Sequence, residues 1–252
     1  MRVLRALLLV GATILGLSAP ALAGPPFVTD DPEPVPLHHW EVYGFSAATQ
    51  VDGDMGGTLA GIEINNGAAP ELQLHAIVPL AFDAPTNGPM QTGLGDIELG
   101  AKYRFFNPGN DDWRPEIGMF PLLELPTGDA AKGLGSGHLR AFIPVWLQKN
   151  FGRWTSYGGG GYWINPGHGN RNYWFVGWLL QRQVTDALAL GAELFHQTAD
   201  SWGGKDTTGF NAGGQYDFSE HYHLLFSAGR GLQHPGLNNQ FSYYVALQWT
   251  GP

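Results

Sequence analysis

The stretch Gly93 to Phe106 (GLGDIELGAKYRFF) limits the fold more than any other part of the chain. From Asp96 its residues alternate, with Ile97, Leu99, Ala101, Tyr103 and Phe105 on one side of an extended strand and Asp96, Glu98, Gly100, Lys102 and Arg104 on the other. A period of two over about ten residues, apolar on one face, charged on the other and closed by aromatics, suits a strand with lipid outside and water inside. A half-buried strand of a soluble sandwich shows the same alternation. Recurrence of the pattern and the destination of the chain decide between them.

The destination is written in the first residues. Arg2 and Arg5 precede the apolar run Ala6 to Leu17, followed by Ser18, Ala19, Pro20 and the small-x-small tripeptide Ala21-Leu22-Ala23. This is the pattern of a secretory signal peptide (residues 1–23), cleaved after Ala23 and too short for a spanning helix. Its loss moves the formal charge from −9 to −11. An acidic exported chain without a basic patch is no nucleic-acid binder. The sequence has no cysteine, which excludes a lipid-anchored cysteine, a disulfide framework and thiolate metal sites. No later apolar run reaches the length of a spanning helix. With 37 Gly, 9 Trp, 9 Tyr and 14 Phe against 14% charged residues, the composition favours strands and tight turns.

Residues 24–38 carry five prolines with Asp30, Asp31 and Glu33, and form neither strand nor helix. They read as a leader, either a tether before the barrel or a plug folded into its mouth. Twelve strands are expected in 39–252: about His39–Gln50, Thr58–Asn65, Glu71–Phe82, the Gly93 strand, Trp113–Leu125, His138–Gln148, Arg153–Ile164, Arg171–Gln183, Leu188–Phe195, Phe210–Phe218, His221–Leu232 and Gln240–Thr250. The prolines of the fifth mark bulges. The seventh contains Gly158-Gly159-Gly160-Gly161 and exposes bare backbone at its middle. An even count brings both ends to one rim, and connections after even strands are short while most after odd strands are long. The expected fold is all-β, an up-and-down antiparallel transmembrane barrel of about twelve strands in the outer membrane of a Gram-negative bacterium.

Several short motifs carry a family resemblance. The segment Pro26-Phe27-Val28-Thr29-Asp30-Asp31-Pro32, then Trp40-Glu41, Gly93-Leu94-Gly95-Asp96-Ile97, and Leu125-Pro126-Thr127-Gly128-Asp129 with Gly133 to Gly137 resemble the outer-membrane family named for the meta-pathway of phenol degradation. The likeness spans nearly the whole mature chain. It implies an outer-membrane barrel described as a transporter, with barrel-insertion machinery and membrane lipid as partners. Here the chain ends Trp249-Thr250-Gly251-Pro252, whereas such barrels often end on an aromatic residue.

By alternation the lumen receives Asp96, Glu98, Glu116, Glu124, Glu193 and Asp217, with Glu63 and Glu71, against Lys102, Arg104 and Arg140. Hairpin register brings Arg104 near Glu116 and Arg140 near Glu124. Such charges either brace the wall or form a constriction whose acidic surplus disfavours anions. Phe120, Phe142, Trp146, Tyr173 and Phe175 offer an apolar path, or else pack a partly closed lumen. Trp174, Trp178 and Trp249 are expected in the interfacial girdles. In the plug reading Asp30 and Asp31 meet Lys102 or Arg104.

Catalytic patterns are weak. The histidines lack metal-ligand spacing on a helix, His221 and His223 share one strand face, and no nucleophile elbow occurs. Ser136 beside His138 is the one dyad candidate, and the Lys132–Gly137 glycine run precedes no helix as a phosphate loop would. The expectation is a porin-like barrel, not an enzyme and without cofactor or metal, that passes small hydrophobic or aromatic molecules. A plugged structural or interaction barrel is the alternative, and a lipid-modifying barrel enzyme the third.

Overall fold

A computed structural model describes residues 25–109 and 112–252, so the expected signal peptide lies outside the described residues. Among these residues twelve antiparallel wall strands form one closed ring. They are β1 (Trp40–Val51), β2 (Asp54–Ala69), β3 (Leu72–Ala84), β4 (Gln91–Leu94 and Ile97–Phe106), β5 (Glu116–Met119 and Leu122–Leu125), β6 (Arg140–Phe151), β7 (Trp154–Ile164), β8 (Tyr173–Thr185), β9 (Leu188–Gln197), β10 (Thr207–Asp217), β11 (Tyr222–Gly231) and β12 (Phe241–Gly251). Each pairs with the next in the chain, and β12 returns to β1 with Trp40 opposite Gly251 and Gln50 opposite Phe241. Closure leaves no edge unpaired, which a membrane requires and a sandwich does not supply.

Both ends of the ring lie on one rim, here the turn rim. Its connections are 70–71, 107–115, 152–153, 186–187 and 218–221; the opposite loop rim carries 52–53, 85–90, 126–139, 165–172, 198–206 and 232–240. The fifth strand starts at Glu116 rather than Trp113. Pro115 has no N–H to give the ladder, and Arg114 folds back over the Phe106 ring at 5.2 Å, drawing this segment into the turn. The same strand breaks at Phe120–Pro121, where the Ala101 N–H reaches across to the Pro121 carbonyl at 3.2 Å.

Alternation then sorts the side chains. Leu74, Val78, Leu99, Phe105, Ile143, Val145, Val176, Leu180, Leu194 and Leu247 stand exposed on the outside. Facing water, each would forgo roughly 1.5–3 kcal/mol of burial, so the band is a lipid-facing surface. In β8 the inward side is Tyr173, Phe175, Leu179 and Gln181, all buried, with Trp174, Val176, Trp178 and Leu180 outside. Trp178 corrects the girdle expectation: it sits within the span of β8, opposite Gly158 and Leu194, and its indole N–H donates to Ser156 Oγ at 2.9 Å.

The four glycines of β7 are not bare. A Cβ on Gly158 would lie 2.5 Å from the Trp178 ring, and one on Gly161 would lie 2.5 Å from Ile143 O. Their missing side chains let rings and neighbouring strands close over the backbone. Gly159 is the most constrained, with φ +153° and a virtual Cβ 2.1 Å from Val145 O. Gly159→Ala is therefore expected to cost about 2 kcal/mol or more. Urea titration of the detergent-folded barrel by tryptophan fluorescence should show a lowered midpoint; an unchanged one contradicts this packing.

Candidate functional site

The lumen is occupied by the chain's own leader. From Leu37, which bridges to Gly67 at the turn rim, residues 36 down to 25 run up the inside of the barrel. Polar wall groups meet its backbone at successive heights. Gln73 Oε1 accepts from Val35 N at 2.9 Å, Glu193 takes Val28 N on Oε1 at 3.0 Å and Thr29 N on Oε2 at 2.8 Å, and Ser227 Oγ donates to Pro26 O at 2.5 Å. A proline-rich segment cannot satisfy itself by secondary structure, so its amides and carbonyls take partners from the wall. Two wall glycines make the room: a Cβ on Gly177 would lie 2.1 Å from Thr29 Oγ1, and one on Gly118 would lie 2.9 Å from Pro32 Cβ.

Charge fixes the middle of this segment. Lys102 of β4, 3% exposed, places Nζ 2.9 Å from Asp30 Oδ1 and 3.4 Å from Asp31 Oδ2, with the Phe120 ring centroid 5.1 Å away. Asp31 is fully buried. Lower down, Gln148 Nε2 donates to Glu33 Oε2 at 2.8 Å. Arg104 does not join the aspartates; its guanidinium spans Glu71 and Glu116, each at 2.5 Å.

The remaining lumen charges are also partnered. Arg140 lies directly opposite Glu124, with Nη1 at 2.8 Å from that carboxylate, Nη2 at 2.7 Å from the Tyr173 hydroxyl and the guanidinium 4.8 Å from the Trp163 centroid. His75 links Glu98 at 2.9 Å to Asn65 at 2.6 Å, and Asn65 donates to Glu63 at 2.9 Å. Glu193, 2% exposed, takes a third bond from Asn211 at 2.6 Å. Asp217 lies at the turn-rim end of β10, where it holds His223 at 2.7 Å. Asp96 accepts from the loop 126–139 and lines a cavity of about 480 Å³ together with Glu98, Glu124 and Arg140.

The apolar candidates come together on one wall. Phe120, Phe142, Trp146 and Phe175 form a buried cluster flanked by Leu122, Trp163 and Phe195. Tyr173, Trp163 and Phe142 stack at 5.9 and 4.8 Å, and Phe175 continues from Phe142 at 6.2 Å to Phe195 at 6.2 Å. Phe195 borders a cavity of about 620 Å³ at the loop rim that also touches Val28, Asn211 and Asn239. Between leader and wall near Lys102 the free volume is only about 60 Å³, enough for very few waters.

The dyad candidate does not assemble. Ser136 Oγ donates to Asp96 Oδ2 at 2.7 Å, and His138 Nδ1 meets the Ser136 carbonyl, not its hydroxyl, at 3.1 Å. No group of three or more potential metal-ligating side chains is found among the described residues. At the turn rim Arg114 holds the Asp112 carboxyl down to about 2, and in the loop 126–139 Lys132 lowers Asp129.

Sequence reasoning passed over Glu33, Glu41, Gln73, His75, Gln148 and Ser227. Gln73 and His75 carried a usable signal, polar residues at inward positions of an alternating strand; Gln148 and Ser227 have the same parity. The amide donors to Glu193 did not, because they lie 164 and 165 positions away.

The family described as "Putative MetA-pathway of phenol degradation" matches residues 40–249. Among solved structures, an outer-membrane channel from Pseudomonas putida F1 is similar with 18% identity and a TM-score of 0.67, covering 88% of this chain and 98% of that one. The KdgM porin in complex with disordered oligogalacturonate follows at 11% identity and TM-score 0.56, covering 84% and 98%. The NanC porin follows at 9% and 0.52, covering 83% and 98%. No curated protein matches the chain.

Lys102→Met strands the buried Asp31 and the half-buried Asp30, a loss of about 3–5 kcal/mol by the usual cost of breaking a buried pair. The leader is then expected to leave the wall. The sequence has no cysteine, so a single Thr29→Cys reporter should react faster with a small thiol reagent in the Lys102→Met background; equal rates would contradict the anchoring role.

Proposed function

The chain belongs to the family described as "Putative MetA-pathway of phenol degradation", and from that membership we propose an outer-membrane channel that passes small hydrophobic or aromatic molecules without chemical conversion. In this reading the signal peptide exports the chain, barrel-insertion machinery places it in lipid, and the turn rim faces the periplasm. The observation that carries it is the aromatic wall: Tyr173, Trp163, Phe142, Phe175 and Phe195 line the loop end of the lumen beside the loop-side cavity, and Trp146 and Phe120 continue the apolar surface deeper. Rings at the wall offer an apolar solute a sequence of equivalent contacts, so it moves without a deep trap.

The leader closes this path as it stands and is displaceable, since polar contacts to one extended segment hold it and no covalent link beyond Leu37 does. Carboxylates outnumber Lys102, Arg104 and Arg140 along the lumen, so residual ion flow favours cations. The second reading, a plugged structural or interaction barrel without transport, is favoured by the 60 Å³ left between leader and wall near Lys102. An enzyme reading has no assembled Ser–His pair to rest on.

Glu193→Gln discriminates the first two. Glutamine presents one acceptor where Val28 N, Thr29 N and Asn211 need two oxygens, so the docked state loses about 1.5–3 kcal/mol. The open fraction is then expected to rise about tenfold or more. Planar-bilayer recordings should show cation-preferring openings much more often than in the parent. No openings in either form, with a heat-modifiable folded band on a gel, would favour the plugged barrel.

A further inference from the structure

Two motifs from the sequence, Gly93–Asp96 and Leu125–Gly137, meet in space and take no part in holding the leader. β4 breaks at Gly95–Asp96, and the Asp96 carboxylate lies on the inside of the barrel, beside Glu98 in the lining of one cavity. There it accepts from the loop 126–139 three times: from Gly128 N at 2.9 Å on Oδ1, and from Ser136 N at 2.6 Å and Ser136 Oγ at 2.7 Å on Oδ2. Thr127 Oγ1 closes the seam, donating to Gly95 O at 2.7 Å and accepting from Ile97 N at 2.9 Å.

Glycine is required at the contact. A Cβ on Gly135 would lie 2.4 Å from Asp96 Oδ1, and one on Gly128 would lie 2.2 Å from Leu134 O. The loop tip lies inside the wall. Leu134 is 4% exposed and packs against the positions where Gly93 and Gly95 would carry side chains, while Gly133 adjoins Asp83. Across from the tip, a cavity of about 480 Å³ is bounded by Phe45, Thr58, Ile77, Glu98 and Arg140.

We propose that Asp96 is a latch that pins the loop 126–139 inside the mouth, where the loop forms a second constriction in series with the leader and sets the largest solute admitted from the loop side. An aspartate is required because its two oxygens meet three donors; an asparagine amide would turn an N–H toward one of them. The size limit rests on the channel reading above, whereas the latch itself does not.

The test uses the full chain with Leu134→Cys as the only thiol, labelled from outside in intact cells by a bulky membrane-impermeant maleimide. In the Asp96→Ala background the labelling rate is expected to rise about tenfold or more, with Asp96→Asn between it and the parent. Should Asp96→Ala fail to fold, Ser136→Ala removes one of the three donors to Asp96 and should raise the rate less. Equal rates across folded variants would overturn the latch. Liposome swelling with neutral sugars of increasing size reads the second half: Asp96→Ala combined with Glu193→Gln should admit larger sugars than Glu193→Gln alone. If the cutoff stays put while labelling rises, the loop is latched but is no constriction. If no variant swells at all while labelling rises, the channel reading fails and the latch stands.

Discussion

A lysine ammonium cannot stay buried inside a barrel without counter-charge, and Lys102 lies almost wholly out of solvent. Among the described residues the wall supplies no carboxylate in hydrogen-bond contact with it; Asp30 and Asp31 of the leader do. The dependence is mutual, because Asp31 is equally buried and among the described residues meets no other cation. The pair therefore ties the position of an otherwise irregular segment to one strand of the ring. From this anchor the other leader contacts take their register, Glu193 above, Gln148 and Gln73 below.

The ring itself makes such an anchor possible. Twelve strands enclose a lumen between those that side chains fill and those that stay open as water channels. Here the aromatic wall of β5 to β9 fills one side, and the leader fills much of the remainder. Glycines at 118 and 177 keep the wall low where the leader passes, and the glycines of β7 let the Trp146 and Trp178 rings lie flat against the opposite faces of one strand. Where the wall is bulky it is aromatic and continuous, and where it is thin a backbone lies against it.

The wall was largely legible in the sequence, since a period of two fixes which side chains share a face. Arg140 and Glu124 stand opposite one another, as the loop between their strands implies. Arg104 and Glu116 also meet, although a bulge between Arg104 and Phe106 moves the backbone register, because a long guanidinium spans the shift. The path of the leader was not legible. Prolines erase periodicity, so nothing local tells which wall residues Val28 or Glu33 approach. Trp178 misled for a related reason: alternation gives the face of a residue, while its height depends on strand tilt and stagger, which no single strand encodes. Parity places Asp96 on the inner face, but parity is blind to the loop that folds back and gives its carboxylate three donors.

On this reading the leader, seated against Gly177, closes the lumen. A virtual Gly177 Cβ lies 3.1 Å from Thr29 Cβ, close enough for a bridge after small adjustment. With no native cysteine, Thr29→Cys with Gly177→Cys gives a single defined disulfide. Single-channel recording of this protein, oxidised and then reduced in the same bilayer, is the most direct measurement. Silence is expected while the bridge is closed, and intermittent cation-preferring openings after reduction. Conductance that is the same in both states would contradict this reading.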